Sequence, residues 1–392
     1  MVNFDPYSAE FANDPYPIYK YLRDEAPVFF HKDLNFWAVS RYEDVMEAHR
    51  DNERFSSAGG VSIEPGDPGS VLITKDNPEH RWHKALVTKV FTRDRMGAME
   101  PFVRDLTINL LEKAAEKSEF DFVKDFAVQL PLNVISELIG IPEEFRDDVH
   151  HFANMLLLRG QVDPREIAES KVLSDKTYAE IIRLRRANPR DDVITLLMNT
   201  ELEDDQGVVR YLTDEELAAR FMELAIAGHE TVSKAIPNGV VALQRFGAER
   251  KKLLDDPSLI SAALVEEILR FDPPSQLQGR TTTVDVELHG VTIPAGFKTM
   301  LLTGAATRDE RRFENPDVFD VTRDNDMASI YFGYGIHRCL GIHLARLEIR
   351  VAFQELLSRF PQFEVFPERS TRPILSNVRG LSTLPCAPGP HH

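Results

Sequence analysis

Apolar residues recur along this chain mostly at helical spacing, interrupted by a few short runs of strand character. Val28-Phe29-Phe30 and Phe36-Trp37-Ala38-Val39 predict a strand pair joined by the polar turn His31 to Asn35. Tyr42 to His49 predicts a helix. Ser56 to Asp76 is rich in Gly, Pro and Ser and predicts a long loop, which is uncommon unless functional. From Pro78 to about Arg245 the period is helical, broken by turns such as Ile141-Pro142 and Asn188-Pro189. Thr213-Asp214-Glu215-Glu216 is a capping box that opens a long helix with Leu217, Phe221, Leu224 and Ile226 among its apolar positions. Pro237 within it removes one backbone hydrogen bond and predicts a kink. A second helix, Ser258 to Arg270, stops at Phe271-Asp272-Pro273-Pro274. A β region follows: Val284 to Leu288, a His289-Gly290 turn, Val291 to Ile293, and Lys298 to Leu302. The last helix carries Leu340, Leu344, Leu347 and Val351 on one face. The chain therefore reads as mainly α with small β-sheets.

With 392 residues, 43% of them hydrophobic, the chain can bury a large core. Length alone suggests two or three domains, but no linker, repeat or low-complexity tract supports a split. The net charge of −17 argues against nucleic acid or an anionic membrane as the main partner. No segment approaches the roughly 20 apolar residues that span a bilayer, and Met1 to Pro6 does not begin a signal peptide. Cys339 and Cys386 make no disulfide framework. A soluble, cytoplasmic protein is expected. His391 and His392 resemble a tag remnant and are set aside.

The candidate chemistry centres on Cys339, in the run Phe332-Gly333-Tyr334-Gly335-Ile336-His337-Arg338-Cys339-Leu340-Gly341. A thiol at a helix start is expected to have a lowered pKa. Gly333, Gly335 and Gly341 permit tight turns and close backbone approach to a planar group. One thiolate so placed suits axial ligation of haem iron. A lone cysteine is more often a small buried hydrophobe. A dinucleotide fingerprint fails, because Arg338 stands where a third glycine is needed. A zinc site would need more Cys or His at ligand spacing.

The same run resembles the haem-binding signature of the cytochrome P-450 family, Phe-x-x-Gly-x-His/Arg-x-Cys-x-Gly, matched by Phe332, Gly335, His337, Cys339 and Gly341. Ala227-Gly228-His229-Glu230-Thr231 matches that family's oxygen-activation motif; by itself it would read as a helix with one tolerated glycine. The resemblance implies the cytochrome P-450 fold, one domain over residues 1–392, and heme b (iron protoporphyrin IX) with Cys339 as the iron ligand. It assigns Thr231 to hydrogen bonding dioxygen and Glu230 to relaying protons. His337, His80, Lys84 (where the family has Arg) and Arg280 become partners of the two propionates. Phe332, Gly333, Gly335, Gly341, Ala345 and Gly228 become contacts of the cofactor. Glu267 and Arg270, i and i+3 on one helix, otherwise a solvated pair, become a buried ion-pair core completed by Arg323. The substrate pocket falls by family position near Leu72, in Met155 to Leu158, at Leu224 and Ala227, in Ser275 to Leu277, and at Leu375.

The activity so implied is insertion of one oxygen atom from O2 into an apolar or amphipathic small molecule. No flavin or nicotinamide fingerprint is present, so electrons are expected from a ferredoxin and ferredoxin reductase, with a flavodoxin as the alternative donor. Docking is expected at the face of Arg338, Arg346 and Arg350, which would offset the overall acidity. A peroxide-driven or non-oxygenating haem-thiolate enzyme and a haem-binding sensor remain as alternatives.

Overall fold

The computed structural model describes residues 4–64, 71–157, 162–324, 329–375 and 377–389. Its largest sheet joins distant parts of the chain. Val28–His31 pairs antiparallel with Phe36–Val39, Val28 opposite Val39. Lys298–Leu301 adds parallel to Phe36–Val39, Gln278–Thr282 adds antiparallel, and Phe55–Ser56 closes the other edge. The helix Tyr42–Arg50 leaves this sheet and carries His49 in its last turn, while Arg280 sits on the strand Gln278–Thr282.

The helix Asp214–Arg245 runs 32 residues through the protein. Its capping box forms, with Glu216 N–H donating to Thr213 Oγ1 at 3.2 Å and Thr213 N–H to Glu216 Oε2 at 2.9 Å. The helix is continuous through Pro237, where Ile236 to Gly239 are all buried. A β-carbon on Gly239 would meet Phe353 at 2.8 Å and Ile268 at 3.0 Å, so close packing on two sides holds this turn despite the lost hydrogen bond.

Other boundaries moved for local reasons. The second helix is Ala262–Phe271, with Ser261 accepting the Ala263 N–H at 3.3 Å as its cap. The preceding residues form a separate turn, Pro257–Leu259, capped by Asp256. The hairpin pairs Val286–Leu288 with Val291–Ile293, and its His289-Gly290 turn has φ values of +52° and +76°. The last helix is Ile342–Arg359, so Leu340 lies before it.

The main core surrounds the long helix, with Phe221, Val232 and Ile236 packed among Ile135, Leu138, Ile349 and Phe353. Burying each such side chain contributes roughly 1.5–3 kcal/mol. Ala227 departs from this pattern: it is exposed half-way along the helix, between the buried Ala225 and His229, and Thr231, one turn on, is half-buried. That face is open rather than packed into the core.

Candidate active site

The Cys339 loop is shaped by its glycines and by the helix Tyr42–Arg50. Gly333 and Gly335 both have φ of +67°, where only glycine is unstrained. A β-carbon on Gly335 would lie 2.4 Å from the His49 carbonyl oxygen, so the loop reaches that helix only with glycine there. Cys339 N–H donates to Phe332 O at 2.9 Å, closing the loop, and Cys339 itself is exposed. The residue as a whole is exposed, yet protein crowds the thiol. This crowding raises the thiol pKa, and the Gly341 N–H, Lys84, Arg338 and Arg346 oppose it only in part. The lowered thiol expected from the helix start is therefore not found; burial outweighs the dipole.

Four expected partners of an anion converge beside this loop. The rings of His80 and His337 lie 4.3 Å apart, centroid to centroid. Lys84 Nζ donates to the carbonyls of Ile336 and Arg338. Arg280 is buried and donates to its neighbour Gly279 O at 2.7 Å. Burial, then Arg280, His80, Lys84 and His49, depress His337 to about 2. His49 was not expected. It is buried, with Nδ1 3.5 Å from Arg280 NH2, and burial and Arg280 depress it to about 3. An arginine can only donate, so Nδ1 accepts and the His49 proton sits on Nε2. The Nε2 atoms of His49 and His337 are both buried without a hydrogen-bond partner. A buried cluster of donors with unmet capacity calls for a negative group.

On the helix Ala262–Phe271, the Arg270 guanidinium grips Glu267 at 2.7 and 2.8 Å, both side chains fully buried. Arg323 Nε stands 3.2 Å from Glu267 Oε2. Arg270 also donates to the carbonyls of Thr307 at 3.1 Å and Pro316 at 2.8 Å. The trio thus ties the helix Ala262–Phe271 to the segment leading to the Cys339 loop.

Several sequence expectations move. Gly228 does not face the open side of the helix: a β-carbon there would lie 2.4 Å from Ile135 Cγ1, so its small size serves packing against the helix Gln129–Ile139. Leu277 is not in a pocket; it is buried below the large sheet with Tyr19, Phe36 and Met300. Leu224 and Leu72 are buried at the edge of the main core, and Leu375 is half-buried. In the Met155 stretch, Met155 is half-buried and Leu158 lies outside the described residues. Phe332 and Ala345 are half-buried against the main core. Two of the three docking arginines are engaged: Arg346 pairs with Glu266 at 2.6 Å and Arg350 with Glu100 at 2.8 Å. Arg338 is exposed.

The cytochrome P450 family model matches residues 260–388. Over its whole length the chain is similar to the vitamin D(3) 25-hydroxylase of Pseudonocardia autotrophica, 38% identical over 403 residues, covering 98% of this chain and 96% of that one. Among solved structures, CYP109E1 from Bacillus megaterium in complex with testosterone superposes with a TM-score of 0.88 at 30% identity, covering 98% of this chain and 100% of that one. P450BioI in complex with an acyl carrier protein ligated to hexadec-9Z-enoic acid gives 0.87 at 31% identity, covering 97% and 100%. The chain belongs to the cytochrome P450 family.

As a P450 it is a haem-dependent monooxygenase that uses O2 and a redox partner, and the residues present fit the group. This P450 offers one accessible thiol on a loop that glycine alone can form, with orphaned imidazole nitrogens and a buried guanidinium beside it. None of its described helices is long and apolar enough to cross a membrane. His49 escaped the sequence reading because a single histidine at the end of an amphipathic helix carries no local signal; only the fold brings it to Arg280.

Proposed function

We propose that this P450 inserts one oxygen atom from O2 into a C–H or C=C bond of an apolar or amphipathic small molecule, using heme b and electrons from a ferredoxin served by a ferredoxin reductase. The observation that carries the reading is the accessible Cys339 thiol set beside a buried donor cluster whose two imidazole nitrogens lack partners.

Haem bound here supplies the iron at which O2 is reduced. Cys339 would be its ligand, and His49, His80, Lys84, Arg280 and His337 would hold its carboxylates. Thr231 offers a hydroxyl on the open face of the long helix, and Glu230, next in the chain, holds a proton donor network behind it. Ala227 leaves room on that face, while Leu72 and Leu224 line its apolar margin. An apolar substrate also accords with the relatives: one is named for hydroxylating vitamin D(3), one structure holds testosterone, and another a fatty acid on its carrier. Arg338, exposed beside Cys339, is the centre of the electron-donor face.

The test is the absorbance of the reduced, carbon-monoxide-bound holoprotein. A long-wavelength Soret band is expected for thiolate ligation and should vanish in Cys339→His. A short-wavelength band in the native protein would overturn Cys339 as the thiolate ligand. Apolar compounds should then shift the resting haem from low to high spin, and exclusive response to hydrophilic ions would overturn the substrate class.

A further inference from the structure

The carboxylate of Glu230 does not stand alone. His229 Nε2 lies 3.1 Å from Glu230 Oε1, and Lys234 Nζ lies 3.4 Å from Oε2. On the adjoining helix Arg146–Leu157, the His150 ring packs edge-on against His229 with centroids 5.4 Å apart. His229 and Glu230 are almost wholly buried, whereas His150 is half-buried. His150, His229 and Glu230 bring one nitrogen or oxygen each within 4.8 Å of one another.

The protonation of this group follows from its hydrogen bonds. His229 Nδ1 is 2.7 Å from the Ala225 carbonyl oxygen. A carbonyl can only accept, so Nδ1 carries a hydrogen. In a neutral ring Nε2 would then be a bare acceptor facing the oxygen of a carboxylate. Neither Nε2 nor the Glu230 oxygens have an aligned donor among the described groups. Two buried acceptors 3.1 Å apart repel unless one of them is protonated. Burial pushes Glu230 up, yet His229 first and then Lys234 and His150 hold it down at about 2, which leaves that proton on the imidazole side.

We infer that His229 holds the proton Glu230 passes toward Thr231, and that His150 resupplies it from the solvent side. The inference rests on the assignment of Glu230 and Thr231 to proton relay. In each cycle the Nε2 proton moves to Glu230 Oε1, Glu230 gives a proton up toward Thr231, and His229 is reprotonated through His150. No electrons move in this exchange. Among the described charged groups, those acting on His150 include His229, Glu230 and Lys234 on the long helix and Asp147 on its own; burial first, then His229 and Lys234, lower His150, which suits a group that releases its proton inward. In this scheme the residue between Gly228 and Glu230 in the oxygen-activation motif becomes a positioning and proton-holding residue.

The test compares the holoenzymes of native protein, Glu230→Gln, His229→Gln and His150→Gln. Glutamine keeps a donor at His229 but cannot release a proton. About a tenfold loss of product per electron consumed is expected in His229→Gln, with more peroxide, a larger solvent deuterium isotope effect and an altered pH profile, while haem content and substrate affinity stay native. His150→Gln, at a half-buried position, should give the same pattern more weakly. Independently of turnover, 15N-histidine NMR of the reduced carbon-monoxide complex should show both His229 nitrogens protonated at neutral pH. A bare Nε2 would overturn the inference. So would native coupling in His229→Gln and His150→Gln when Glu230→Gln is uncoupled. If Glu230→Gln is also native, the relay assignment fails first and the inference with it.

Discussion

The Glu223 carboxylate accepts the Leu72 backbone N–H at 2.9 Å, and its other oxygen accepts the Ile73 N–H at 2.8 Å. Arg220 pairs with the same carboxylate and reaches His83 Nδ1 at 3.3 Å. One side chain of the long helix, one helical turn before the exposed Ala227, therefore fixes the turn Leu72–Thr74. Glu223→Gln keeps the shape but weakens both bonds, since charged acceptors bind donors more strongly. Substrate affinity read from the spin-state shift is expected to fall about tenfold, near 1.4 kcal/mol, with haem content unchanged.

The Glu267 trio predicts a loss of stability rather than of chemistry. Glu267→Gln strands Arg270 in a fully buried site, at a cost of about 3–5 kcal/mol. Haem incorporation should collapse and the melting temperature drop. Arg323→Ala should cost less, because that side chain is 13% exposed. Native haem content in Glu267→Gln would sink the assignment.

Two glycines should fail for different reasons. Gly335→Ala places a β-carbon against a backbone oxygen at φ of +67°, a strain of at least 1–2 kcal/mol before any clash, roughly. No side-chain change nearby should rescue it. In Gly228→Ala the atoms nearest the new β-carbon belong to the Ile135 side chain. Ile135→Ala alone should cost about 2–5 kcal/mol. The double variant should be more stable than the two separate losses predict, and thermal unfolding of the four proteins reads this coupling.

The donor cluster makes the haem-free protein sensitive to acid. His49 is held neutral to about 3 in the folded protein, whereas an unfolded histidine takes a proton near 6.5. The unfolded state then binds more protons, so stability present above pH 6.5 is lost as pH falls toward 3. At pH 5 His49 alone accounts for up to about 2 kcal/mol. Denaturant midpoints at pH 7 and 5 should converge in His49→Asn. An unchanged slope would remove His49 from the account.

Local signals in the sequence reached local structure. The Thr213 capping box, the strand pair Val28 to Val39 and the i, i+3 pairing of Glu267 with Arg270 all depend on neighbours within a few residues, and each is found. The cysteine run was equally visible because its glycines and thiol are contiguous. What escaped depends on long-range contacts. Leu277 looked like a lining residue but lies under the sheet with Met300. Gly228 looked like a cofactor contact but answers to Ile135. Arg346 and Arg350 looked free because Glu266 and Glu100 lie far off in sequence.

The large sheet sets an order of assembly. Arg280 belongs to a strand flanked by Lys298–Leu301 and Phe55–Ser56, and the first of these aligns with Phe36–Val39. His49 lies only ten residues beyond that N-terminal strand, yet it meets Arg280 across 231 positions of chain. Such distant contacts form late, after long loops have closed. While the ribosome is still making the C-terminal third, neither the thiol nor the guanidinium is in place, so the cofactor enters a nearly finished protein and its capture reports that the two ends have met.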